Sequence, residues 1–276
     1  GISHLAHDDP TLTAAVELAR GAGAALHLVH ACEGPHLHVL SHPGGLERHQ
    51  SELRERLAAA ANGRLGAQPA CHAVHGSPAR AILRLAEETG ADLVVAGAGG
   101  HAFVLGSTTA RLVRDSPVPV FIVREPVRRP LERVLLATDL SPLSAAAHEQ
   151  GLDAAAAVLG EPGALRSLLV VGAGTLPPPL PQAALDRTAR SELRRFLAER
   201  RPRGAAVQAA VRTGPATDEI VAEADAWKAD LLVLGALGHV LLGSVAEDVV
   251  RSASCNVLAV PAPRVAAAGD GVSEAA

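Results

Sequence analysis

Apolar and polar positions along this chain fall into blocks, short aliphatic runs separated by longer segments with helical spacing. In the second half the runs 133–138, 168–171, 206–212, 231–234 and 256–260 have the length and branching of buried strands. Between them, 144–159, 182–200, 215–228 and 244–252 repeat their apolar residues at the period of a helix, and Gly160 supplies a stop signal. Strand and helix thus alternate from end to end, which predicts a parallel sheet with helices on both faces. The first half follows the same scheme, with strands at 26–29, 71–74, 93–96 and 118–123 and helices at 13–20, 45–62, 78–88 and 108–114. Its opening strand, 2–6, is short and interrupted by His4, the weakest element of the pattern.

The two halves also repeat one another in detail. Ala91-Asp-Leu-Val-Val-Ala-Gly-Ala-Gly-Gly-His101 and Ala229-Asp-Leu-Leu-Val-Leu-Gly-Ala-Leu-Gly-His239 each open into Gly-x-x-Gly-His and soon reach a Gly-Ser step, Gly106-Ser107 or Gly243-Ser244. Glycine after a strand permits close backbone approach, and a Gly-Ser step opening a helix offers amides and a hydroxyl to an anion. The repeat divides the chain into domains at 1–125 and 133–262. Residues 124–132, with two prolines and several charges, read as the linker, 175–181, with four prolines, as an irregular loop, and 263–276 as a disordered tail.

Composition narrows the function. At 276 residues both halves are long enough to bury a core. An aromatic content of 1% leaves that core to Val, Leu, Ile and Ala. A net charge of -4, with no basic cluster interleaved with aromatics, argues against a nucleic-acid surface. No apolar run approaches bilayer length and no signal peptide is recognised, so no membrane partner is expected. Three cysteines make no disulfide framework, which favours the cytoplasm. Ten of the 13 histidines precede residue 76, but a recognised metal-ligand spacing is missing, and no metal site is expected. Neither a Ser-His-Asp nor a thiol-His arrangement can be assembled from spacing, so no catalytic residue is assigned. Trp227, at a helix end before a strand, reads as a packing residue.

On a doubly wound sheet, ligands bind at the carboxyl ends of strands near the switch in strand order. Three features converge there in each half: an acid after the first strand (Asp139 or Asp8), glycines after the fourth (Gly235 and Gly238, or Gly97 and Gly100), and the Gly-Ser step. That set suits a nucleotide, although Asp139 read alone is equally a helix cap. Gly97-Ala-Gly-Gly-His-Ala102 also fits a loose dinucleotide fingerprint. The partner repeat, however, has Leu237 at the second glycine, and Glu125 lies beyond the usual spacing of about 20 residues. His101 and His239, at equivalent places after the second glycine, read either as anion donors or as plain loop residues.

Taken together, the motifs resemble tandem universal stress protein domains. The matching text is Leu135-Leu-Ala-Thr-Asp-Leu-Ser141, Asp230-Leu-Leu-Val-Leu-Gly-Ala-Leu-Gly238, Leu242-Gly-Ser-Val-Ala-Glu-Asp-Val-Val-Arg251 and Cys255-Asn-Val-Leu-Ala-Val260. The first half adds Gly97-Ala-Gly-Gly100, Leu105-Gly-Ser-Thr108 and Val118-Pro-Val-Phe-Ile-Val123. The resemblance implies an α/β fold of two doubly wound domains, each a five-stranded parallel sheet in the order 3-2-1-4-5. It implies an ATP-binding regulatory module in a stress response. Asp139 or Asp8 would then face the base side. Phosphate and ribose contacts would fall on Gly235, Gly238, Gly243, Ser244 and Val245, or on Gly97, Gly100, Gly106, Ser107 and Thr108. It also implies that the fifth strands of the two halves pair across a pseudo-twofold axis, and leaves further pairing into a homodimer open. One departure stands out. The family's phosphate motif has nine residues between its second glycine and its Gly-Ser step, whereas this chain has five (His101 to Leu105) and four (His239 to Leu242). Two alternatives follow, a nucleotide-free scaffold with degenerate phosphate loops and a slow ATP hydrolase.

Overall fold

The computed structural model describes residues 9–32, 44–61, 68–99, 106–172, 182–200, 206–236 and 244–262. In the first half α1 (Pro10–Ala22), β1 (His27–Cys32), α2 (Gly45–Ala61), β2 (Ala70–His75), α3 (Pro78–Thr89), β3 (Val94–Gly97), α4 (Ser107–Asp115) and β4 (Val120–Val123) follow one another. The second half continues with β5 (Arg133–Thr138), α5 (Pro142–Leu159), β6 (Ala164–Val171), α6 (Gln182–Arg200), β7 (Val207–Thr213), α7 (Ala216–Trp227), β8 (Leu231–Ala236), α8 (Ser244–Ser252) and β9 (Asn256–Pro261).

The strands of the second half lie side by side as β7-β6-β5-β8-β9, all parallel. The central strands β5, β8 and β9 are near-continuous apolar runs, as strands covered on both faces require, whereas the edge strand β7 is only partly buried. Residues Val134, Leu135 and Leu136 of β5 are 0% exposed. β6 begins four residues earlier than its apolar run, because polar Arg166 is accommodated there. Arg166 donates to Glu223 Oε1 at 2.6 Å and lies over the ring of Trp227, 4.4 Å from its centroid. Arg212 on β7 donates to the other oxygen of Glu223 at 2.5 Å. The buried carboxylate is thus shared by two guanidinium groups.

β9 does not end the sheet. It pairs antiparallel with β4, placing Val120 opposite Ala259, Phe121 opposite Leu258 and Ile122 opposite Val257. β3 then pairs parallel with β4, so one seven-stranded sheet, β3-β4-β9-β8-β5-β6-β7, runs through both halves. β1 and β2 form a separate parallel pair. The expected opening strand at 2–6 lies outside the described residues.

The apolar core respects the sheet more than the halves. On one face, Ala14 and Leu18 of α1 and Ala147, Leu152, Ala155 and Leu159 of α5 pack with Phe121, Val134 and Leu258. On the other, Ile82 of α3 and Leu112 of α4 share a cluster with Ile220 of α7 and Val249 of α8. Glycines permit the closest approaches: a side chain at Gly21 would strike the carbonyl of Val158 on α5, and one at Gly151 would strike Val233 on β8.

The segment read as a linker is docked. Arg124 donates from Nη2 to the carbonyls of Val250 and of Arg251, at the end of α8. The amides of Arg124 and Glu125 donate to Oδ1 of Asn256 at 2.9 and 3.2 Å. At its far end the amides of Glu132 and Arg133 donate to Oδ2 of Asp230, both at 2.9 Å. Asn256 and Asp230 are buried, and their oxygens satisfy main-chain donors that sheet pairing leaves over.

Candidate functional site

β5 leads on to β6 and β7 on one side, while β8 and β9 lie on its other side, so the order switches between β5 and β8. Crevices outside the carboxyl ends of such strands are where ligands bind on this architecture. Leu136 pairs with Val233, which sets Asp139, one residue past β5, level with the end of β8.

The turn around Asp139 is tightly specified. Its Oδ1 accepts the amide of Ser141 at 2.9 Å. Leu140 takes a left-handed conformation with φ 64° and donates its amide to Thr138 Oγ1 at 3.0 Å. Thr138 Oγ1 lies 2.9 Å from Ser144 Oγ, and Ser141 Oγ accepts the Ser144 amide at 3.2 Å. Ser141, not Asp139, is therefore the N-cap of α5, with Pro142 at the first helical position. The choice that spacing left open is resolved: Asp139 is an exposed carboxylate at the switch point, not a helix cap. Partial desolvation at the base of the turn pushes its carboxyl up, but hydrogen bonds from the hydroxyl and amide of Ser141 and the hydroxyl of Ser144 outweigh it and hold it below the usual carboxylate value. It is ionised at neutral pH.

In the first half the same cap falls on Asp9. Its Oδ1 accepts the amides of Thr11 and Leu12 at 2.7 and 3.1 Å, ahead of Pro10. Aligning the two caps superposes the buried positions Leu12, Ala15, Val16 and Ala19 on Ser144, Ala147, His148 and Gly151. In this register Asp8 matches Leu140, and His7 matches Asp139. Asp8 itself lies outside the described residues. The shared cap-plus-proline step was the sequence signal for this register.

The strand-end glycines have a packing role. A side chain at Gly235 would come within 3.3 Å of Ala147 Cβ on α5, and one at Gly97 within 2.6 Å of Thr11 Oγ1 on α1. Both let a helix settle on the end of a strand. Gly106 is the N-cap of α4; its amide donates to the Ala98 carbonyl at 3.1 Å, and its Cα side faces Gly99. Thr109 Oγ1 donates to the Gly97 carbonyl at 2.7 Å. The Gly-Ser step is thus folded back on the end of β3, with Ser107 exposed and Thr108 half-buried beside it. In the second half Ser244 opens α8 and Val245 is 38% exposed in its first turn. Gly100, Gly238 and Gly243, with His101 and His239, lie outside the described residues.

The sequence model of the family described as "Universal stress protein family" matches residues 1–124 and again 130–261. The chain belongs to this family. Universal stress protein MJ0531 of Methanocaldococcus jannaschii is 41% identical over 66 residues, 22% of this chain and 39% of that protein. The match therefore spans well under half of that relative's length. Among solved structures, a universal stress protein from Archaeoglobus fulgidus is 20% identical, covering 91% of this chain and 93% of its own, with a TM-score of 0.60. Protein PA1789 of Pseudomonas aeruginosa, described as functionally unknown, is also 20% identical, covering 90% and 86%, with a TM-score of 0.62. These two likenesses show the shared fold. Among the described residues, no helix of this universal stress protein is long and apolar enough to cross a membrane.

Proposed function

We propose that this universal stress protein is an adenine-nucleotide-binding regulatory module of the cytoplasmic stress response, with ATP held by its second half. The observation that carries the reading is Asp139. It is freed from capping by Ser141, exposed, ionised, and set where β5 and β8 diverge. A carboxylate so placed accepts hydrogen bonds from a ribose or base edge. Phosphates would meet Gly235, Gly238, Gly243, Ser244 and Val245, where the N-terminus of α8 favours negative charge.

The first half supports a different reading, that of a nucleotide-free scaffold. One of its expected donors, the Gly106 amide, already serves the carbonyl of Ala98, and the neighbouring Thr109 hydroxyl serves that of Gly97. In the alignment of the two caps, the sequence position that corresponds to Asp139 is His7, not an acid.

Equilibrium binding of labelled ATP separates the halves. The parent chain should bind one equivalent, Asp139→Asn and Gly238→Val should weaken binding by tenfold or more, and Gly100→Val should leave it unchanged. Absence of saturable binding at millimolar ATP would sink the nucleotide reading. Loss on Gly100→Val alone would move the site to the first half.

A further inference from the structure

β1 and β2 carry four histidines, His27, His30, His72 and His75, none of which the proposed nucleotide site uses. His27 pairs in register with Ala70, and Val29 with His72, so His27 and His72 are diagonal neighbours on one face of the parallel pair. Their rings approach to 5.4 Å between centroids with planes inclined by 14°. Nδ1 of His27 lies 3.3 Å from Nε2 of His72, in an exposed position. Both side chains rise from strands held by a six-residue ladder, so the backbone fixes the positions of their Cα atoms.

That separation has two uses. Without a ligand, one nitrogen donates to the other in a long N–H···N contact. With metal–nitrogen bonds of about 2.0–2.1 Å, two ligand nitrogens on a tetrahedral centre stand about 3.3–3.4 Å apart, which is the spacing already present. We propose that His27 and His72 form a two-imidazole site for a borderline divalent cation of the zinc or copper class, with the remaining coordination positions filled by water. Among the described residues no group of three or more His, Cys, Asp or Glu is arranged to hold a metal, so the described residues supply two ligands. Binding requires lone pairs on both facing nitrogens. His27 then carries its proton on Nε2 and His72 on Nδ1, and neutral imidazoles release no net proton.

Arg54 of α2 and Glu88 of α3 are charged groups beside the pair. Glu88 is the nearby carboxylate, itself held by Arg84 at 3.1 Å. Imidazole pairs suit zinc, copper and nickel over magnesium or calcium, which prefer oxygen.

Calorimetric titration of the full chain with zinc chloride at pH 7.5 tests the site. Other histidines can add equivalents, so the decisive quantity is a difference. His27→Ala and His72→Ala should each bind one zinc fewer than the parent. His75→Ala, whose ring faces His49 of α2 instead, should keep the parent count. At pH 5, where protons compete with zinc for imidazole nitrogens, the difference should vanish. Circular dichroism and thermal midpoints of the variants should match the parent, since both side chains lie at the surface. Equal zinc counts and affinities in parent, His27→Ala and His72→Ala would overturn the proposal, as would a parent that binds no zinc saturably.

Discussion

Replacing Phe121 with alanine tests whether the two halves are one cooperative unit. Phe121 sits on β4, is 1% exposed, and lies opposite Leu258 of β9 in the antiparallel pair. Its neighbours in the core include Ala14 and Leu18 from the first half and Val134, Leu136, Val233 and Val260 from the second. A phenylalanine side chain buries roughly 150–250 Å². At about 25 cal/mol per Å² that is roughly 4–6 kcal/mol, of which alanine retains the Cβ share. Truncation should therefore cost about 3–5 kcal/mol, including the cavity it leaves. Phe121→Leu keeps most of the volume and should cost under about 1.5 kcal/mol. The measurement is urea unfolding followed by far-ultraviolet circular dichroism and by the fluorescence of Trp227, which reports on the second half alone. Both probes should shift together, with one midpoint and an unchanged slope. If the Trp227 transition keeps its parent midpoint while the circular dichroism shifts, the core does not run through the seam and the reasoning fails. A loss below about 1 kcal/mol would refute the packing estimate itself.

Two other consequences can be measured directly. Asn256→Ala strips the acceptor from the Arg124 and Glu125 amides and should destabilise the chain by roughly 1–3 kcal/mol in the same unfolding assay, while Asn256→Asp, which keeps an acceptor oxygen, should recover part of the loss. Burial, with the charge of Glu125 adding to it, pushes the Cys255 thiol up to about 12. The folded chain should leave Cys255 unlabelled by thiol reagents at pH 8. Because the unfolded thiol ionises first, stability should fall between pH 9 and pH 12, more steeply in the parent than in Cys255→Ala.

Much of this fold was legible in the sequence wherever one physical requirement dominated. β5, β8 and β9 are buried on both faces, and their unbroken aliphatic runs say so. β6 was read four residues short because Arg166 breaks its run, and only the distant Glu223 and Trp227 explain why a guanidinium is at home there. The candidate site was half legible. Asp139 was found, but local spacing does not distinguish a carboxylate that caps a helix from one that stands beside a capping serine. Gly97 and Gly235 posed a similar ambiguity, since a glycine needed by an approaching helix and one needed by an approaching phosphate look alike until the helix is placed. Asp8 lies outside the described residues, and the cap hydrogen bonds of its neighbour make Asp9 the counterpart of Ser141.

The β4–β9 pair has a consequence for change over generations. When two identical subunits meet through such a pair, every substitution arrives twice, and the two sites must be kept or lost together. Here the partners are joined in one chain, so each side of the seam varies alone. The first half can fold its Gly106 amide back on Ala98 and carry a histidine at the sequence position that corresponds to Asp139, while its sibling keeps a serine cap and an acid that does not cap the helix. The seam holds the partnership constant, which leaves selection free to assign the two halves different work.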